Sequence, residues 1–170
     1  MTSSSADVYF DAAGNYTVTA AFTADEDGTE KEAVSNVTVT APKEPAVVTP
    51  GMTQEQIQAA IDENDEIVFE AGQYEGLHLT LKDLDRTFVS NGEVVFLGKN
   101  DLNKSQGGIT LQGTTSLTFA GDSFLLTNYN DAIYAYLDNN ITLNVSEGTT
   151  LSLSGNLGYT PNHGNGIWLE

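Results

Sequence analysis

Ile109-Thr110-Leu111, Leu117-Thr118-Phe119 and Phe124-Leu125-Leu126 are followed by Ile133-Tyr134-Ala135, Ile141-Thr142-Leu143 and Leu151-Ser152-Leu153, all between Gly108 and Glu170. Ile109 and Ile133 stand 24 positions apart, as do Leu117 and Ile141, so the stretch reads as a cycle of three strands that begins again. Ile167-Trp168-Leu169 opens a third cycle. Alternation with period two sends successive side chains to opposite faces, and the Gly, Asn, Asp and Ser residues between the runs are turn formers. Short strands recurring at a fixed period bury their apolar faces only by stacking on their neighbours. The expected fold class is therefore all-β, a parallel β-helix of about three coils.

Working back toward the N-terminus, Leu77 to Leu81, Thr87-Phe88-Val89 and Val94-Val95-Phe96 read as a first full coil, and Ile67 to Tyr74 as a half-coil. Met52 to Ile61 is the one good helix: Thr53 is placed to N-cap, Gln56 completes a capping box, and Ile57, Ala60 and Ile61 share one apolar face. That face is expected to cover the open end of the coil, where unpaired backbone and apolar side chains would otherwise meet water. Pro42, Pro45 and Pro50 interrupt regular pairing. The expected division is thus 1–42, a linker at 43–51, and the β-helix with its capping helix at 52–170.

Before the prolines, Val8 to Phe10, Tyr16 to Phe22 and Val34 to Thr40 read as strands, with a tight turn at Asp25-Glu26-Asp27-Gly28. Met1 to Ala6 is a polar leader. Two resemblances follow from these residues. Gly14-Asn15-Tyr16-Thr17-Val18, followed by Asn36-Val37-Thr38-Val39-Thr40, resembles the closing strands of a bacterial immunoglobulin-like repeat, which implies a partial immunoglobulin-like β-sandwich segment. The helix with Ile57 to Ile61, then Ile67-Val68-Phe69-Glu70-Ala71-Gly72-Gln73-Tyr74 and the Leu77-x-Leu79-x-Leu81 strand, resembles the capping helix and first coils of the right-handed parallel β-helix of the pectate-lyase-like superfamily. Together they imply a piece of a longer bacterial surface or secreted protein of the adhesive type.

Composition narrows the partners. Twenty-four acidic residues against six basic ones give a formal charge of −18, which opposes nucleic acid and anionic membrane surfaces. No apolar run approaches the length that spans a bilayer. Cysteine is absent, which removes disulfides and thiolate metal sites. The high acidity, the abundance of Thr, Asn and Gly, and the repeat pattern point to an extracellular or cell-surface location. Sequons at Asn15, Asn36, Asn140 and Asn144 are a by-product expected of Thr- and Asn-rich strands.

The insertions Leu97 to Gly108, Thr127 to Asp131 and Gly155 to Gly166 all fall after a third strand, so they are expected on one corner, where repeat proteins build binding grooves. With Ile109, Ile133 and Ile167 inward, Tyr134, Tyr136 and Trp168 point outward, Tyr134 stacked on Trp168. With Tyr129 and Tyr159 they form a candidate face for sugar rings, and Asp131, Asp138, Asn162 and His163 are candidate hydroxyl partners; the competing reading is that the aromatics pack beneath the last loop. The expected partner is a polysaccharide or glycoprotein surface, with self-association through the open C-terminal coil.

Catalytic residues are not expected within the chain. Asp131 and Asp138 lie at opposite ends of one strand, about 23 Å apart if extended, whereas a glycosidase pair needs about 5 to 10 Å. Among proteins that the second resemblance brings in, lyases use a basic residue, and the sole arginine, Arg86, is away from the loop corner. Hydrolases carry a Gly-His-Gly element, which Asn162-His163-Gly164 matches in part. The alternative function is the start of a polysaccharide lyase or glycoside hydrolase whose catalytic residues lie downstream. No cofactor is expected; calcium is considered only at Asp25 to Gly28, where the hairpin turn is the competing account. His78 and His163 have no second ligand spaced beside them, so no metal site is expected.

Overall fold

The structure, a computed structural model, describes residues 7–23, 30–41, 43–99, 107–136, 139–156 and 166–169. The chain forms two compact units, Met1–Lys43 and Glu44–Glu170.

In the first unit, β1 (Gly14–Thr23) pairs antiparallel with β2 (Glu30–Val39), with Tyr16 opposite Val37 and Thr23 opposite Glu30. The Asn and Thr residues behind two of the sequons pair across the strands: Thr38 Oγ1 donates to Asn15 Oδ1 at 2.8 Å and Thr17 Oγ1 to Asn36 Oδ1 at 3.1 Å. Val8 to Phe10 is not a strand. Phe10 instead lays its ring 4.5 Å from that of Tyr16. The expected immunoglobulin-like β-sandwich segment is corrected here, because a sandwich needs two sheets face to face and the described residues of this unit form one two-stranded sheet. The turn at Asp25 to Gly28 lies outside the described residues.

The second unit runs β3 (Ala46–Val48), α1 (Gln54–Glu63), β4 (Glu66–Glu75), β5 (Leu79–Lys82), β6 (Asp85–Leu97), β7 (Ile109–Gln112), β8 (Thr114–Thr127), β9 (Ile133–Ala135), β10 (Asn140–Val145), β11 (Thr150–Ser154) and β12 (Ile167–Leu169). The segment read as a linker thus contributes a strand, β3, parallel to β4. One sheet has the order β10-β8-β6-β4-β3, with β11 also on β8, and the other has the order β12-β9-β7-β5. All their pairings are parallel.

The parallel β-helix of the pectate-lyase-like type is corrected by this arrangement. The second and third strands of the expected cycle are one continuous strand, β6 in one case and β8 in the next. What the described residues of this unit form is two parallel sheets and one short helix. The 24-residue period also fails outside one sheet: Ile109 pairs with Ile133, but Leu117 pairs with Leu143 and not Ile141. A shift of two residues keeps the same side chains facing inward, so alternation alone cannot detect it.

Apolar columns join the strands. Ile67, Phe88 and Phe119 align across the larger sheet, while Leu79, Ile109 and Ile133 align across the smaller one; Ile167, expected to point inward, continues that register on β12 but is exposed, as is Leu169. Both sheets and α1 feed a single core, in which ring centroids lie 5.0 Å apart for Phe69–Phe88 and for Phe119–Phe124. The bend within β8 comes at Gly121, φ 90°, where a Cβ would meet Ser90 O at 2.2 Å; only glycine fits there without a shift.

Helix α1 starts on a capping box: Gln56 N–H donates to Thr53 Oγ1 at 3.3 Å and Thr53 N–H to Gln56 Oε1 at 2.9 Å. Ile57 and Ile61 are fully buried. Its flank closes the free edge of β5 with side-chain amides. Gln58 Nε2 donates to Thr80 O (2.8 Å), Thr80 N–H to Gln58 Oε1 (3.0 Å), and His78 N–H to Gln54 Oε1 (3.0 Å). Glutamine here supplies the donor and acceptor of an absent strand.

Candidate functional site

The outer face of the four-stranded sheet carries the candidate site. Alternation in β5, β7 and β9 puts Leu79, Leu81, Ile109, Leu111, Ile133 and Ala135 in the core, leaving Thr80, Thr110 and Tyr134 in one outward column and Lys82 and Gln112 in the next, by register. Gln54, His78, Thr80, Thr110, Gln112, Tyr134 and Tyr136 line a groove of about 280 Å³. It runs into a shallower depression at Lys82, Gln112, Gly113, Tyr136 and Asn139. It also adjoins a depression lined by Gln58 and Asp62 of α1 and by Lys82. Strand spacing of about 4.8 Å sets the repeat of hydroxyl, amide and phenol groups across it.

The aromatic residues divide. Trp168 does pair in register with Tyr134, but Tyr134 is only 7% exposed, whereas Tyr136 is 43% exposed. The two phenol rings meet edge to face, centroids 5.0 Å apart. Tyr134 is sheltered because the chain crosses it closely: a Cβ on Gly107 would lie 2.8 Å from Tyr134 Cβ. Tyr136 is therefore the exposed ring of the groove, Trp168 is half-buried, and Tyr134 forms the floor.

Tyr129 and Asp131 do not belong to this face. They are 2% and 3% exposed. Gly98 and Gly108 make room for the Tyr129 ring, since a Cβ on either would come within 2.7 and 2.9 Å of it. Burial pushes the Tyr129 phenol far above its ordinary range. Gly108 N–H donates to Asp131 O and Ile109 N–H to Ala132 O, both 2.9 Å, which ties this corner to β7 and draws it inside. Asp138, Tyr159, Asn162 and His163 lie outside the described residues, as do most of the two long insertions.

Sequence reasoning left out Gln54, His78, Thr80, Thr110 and Gln112. For Thr80, Thr110 and Gln112 the signal was present: by register Thr110 and Gln112 stand one strand, and Thr80 two strands, across the sheet from the outward positions of Tyr134 and Tyr136. His78 was considered above only as a metal ligand. Its Nδ1 lies 3.1 Å from Gly107 O; a carbonyl can only accept, so Nδ1 is the donor in this contact and Nε2 is left to face the groove's other groups.

Among the described residues no group of three or more His, Asp or Glu is placed to hold a metal ion, and no helix is long and apolar enough to cross a membrane. Arg86, weighed above as a lyase-type base, is 8% exposed and is spent on the end of α1, its Nε donating to Ile61 O at 2.6 Å.

No family model, no curated protein and no solved structure matches the chain. The resemblances to the pectate-lyase-like superfamily and to immunoglobulin-like repeats thus have neither a matching family nor the expected architecture behind them.

Proposed function

We propose that this chain is a piece of an extracellular or cell-surface protein that contacts glycans without transforming them, through the outer face of its four-stranded sheet. The observation that carries the reading is the groove bounded by Tyr136, Gln112, Thr110, His78 and Gln54. Flat phenol rings offer an apolar surface to the faces of sugar rings, while amides, hydroxyls and an imidazole supply both donors and acceptors for their hydroxyl groups. Such mixed lining suits an uncharged, hydroxyl-rich ligand better than a lipid or an apolar peptide. The acidic charge of −18 supports an exposed, repulsive surface that stays soluble where other polyanions are abundant.

The test is a glycan array probed with the intact chain. Binding to a defined subset of glycans is expected, and it should fall when Tyr136 is replaced by Ala, an exposed position whose loss leaves the core untouched. An array on which the folded chain binds nothing would overturn the reading.

A further inference from the structure

We infer that the groove takes a neutral, linear glycan, laid across β5, β7 and β9, and discriminates against polymers of acidic sugars; this rests on the glycan reading above. Three observations lead there. The first is the distribution of charge. The chain carries 24 acidic side chains, yet none of the described residues lining the groove or its extension past Gln112 bears a carboxylate. Hydrogen bonding is done there by Gln54, Gln112, Asn139, Thr80, Thr110 and the phenols.

The second is the lone ammonium, Lys82, at the end of the groove. It is followed by Asp83, whose Oδ1 accepts from Thr114 N–H at 2.9 Å, and Asp62 lies along the neighbouring depression with Lys82. One exposed ammonium with carboxylates close by cannot offset a charge on every residue of a polyuronate, and screening leaves only charges within about 8–10 Å to matter. A neutral polymer meets no such penalty.

The third is shape. The central groove shares Gln112 and Tyr136 with one depression and Gln54, His78 and Thr80 with a second, and Lys82 lines both. A groove that continues into two further depressions offers contact to more than one sugar of a chain, whereas a single sugar would be held in a closed cup. Helix α1 forms one wall of it through Gln54, whose Oε1 is held in place by His78 N–H.

The experiment is affinity electrophoresis of the whole chain through gels containing a neutral β-glucan, xylan or mannan, or polygalacturonate, each at low and at high salt. The expected result is retardation by at least one neutral polymer, insensitive to salt, with none by polygalacturonate. Tyr136→Ala and Gln112→Ala should each weaken it about tenfold, and Tyr136→Phe should keep most of it. Retardation by polygalacturonate and not by the neutral polymers overturns the inference while leaving glycan contact standing. Retardation by neutral polymers that both Ala variants retain in full overturns the placement in this groove. No retardation in any gel overturns the inference and the glycan reading together.

Discussion

Arg86 illustrates how a single side chain can hold an element in place. Its Nε donates to Ile61 O (2.6 Å), Nη2 to Asp62 O (3.0 Å) and Nη1 to Asp85 O (2.8 Å) and Asp65 Oδ1 (3.1 Å). The Asp65 side chain is 88% exposed, so that ion pair contributes little; the weight lies on the carbonyls at the end of α1, which have no helical partners. Arg86→Ala is expected to destabilise the fold by about 3 kcal/mol, read from urea unfolding, with Arg86→Lys restoring only part. Tyr74 gives a second prediction. Its hydroxyl lies 2.9 Å from Val48 O and 2.8 Å from Glu70 O, and burial, reinforced by the Glu70 carboxylate, pushes its pKa up to about 12. The folded chain holds this phenol neutral to higher pH than the unfolded chain does. The stability it contributes is complete below about pH 10 and is lost as pH rises toward about 12. Phenolate absorbance should show a late group that ionises with unfolding, and Tyr74→Phe should remove its share of that late signal.

At the scale of the element, α1 has two separable functions. Its apolar face, Ile57 and Ile61, completes the core, while Gln58 occupies the edge of β5 with both atoms of its amide. An unpaired parallel edge invites pairing with another chain. Gln58→Ala should therefore cost only about 1 kcal/mol in unfolding yet raise the rate of aggregation followed by light scattering. A change in stability without any change in aggregation would separate packing from edge protection, in favour of packing. The capping box at Thr53 and Gln56 was legible in the sequence because it is a contact across three residues. The amide plug was not, because it joins residues 22 positions apart.

For the molecule as a whole, the two units differ in what holds them. The described residues of β1 and β2 are mostly exposed on both faces, and a lone two-stranded ribbon is marginal in water. The central strands β6 and β8, by contrast, are paired on both sides and bury Phe88, Val94, Phe96, Phe119, Phe124 and Leu126 almost completely. Hydrogen exchange should be fast throughout β1 and β2 and slow in β6 and β8, by about a thousandfold or more. Equal protection in the two would contradict this difference in burial and pairing.

By itself the sequence determined the properties that are local: where strands alternate, which side chains of β5, β7 and β9 face inward, where α1 begins and which stripe it buries; on β12 the expected inward Ile167 and Leu169 are exposed. Alternation and capping depend on neighbours within one turn or one pleat, so they can be read from the chain in order. Tertiary structure decided the rest. It fused pairs of expected strands into β6 and β8 through bends such as Gly121, paired Leu117 with Leu143 two positions from the simple repeat, and drew Tyr129 and Asp131 inside while leaving Tyr136 at the surface. Each of these outcomes turns on how close one stretch of backbone comes to another remote in sequence, and a period-two pattern carries no information about that distance.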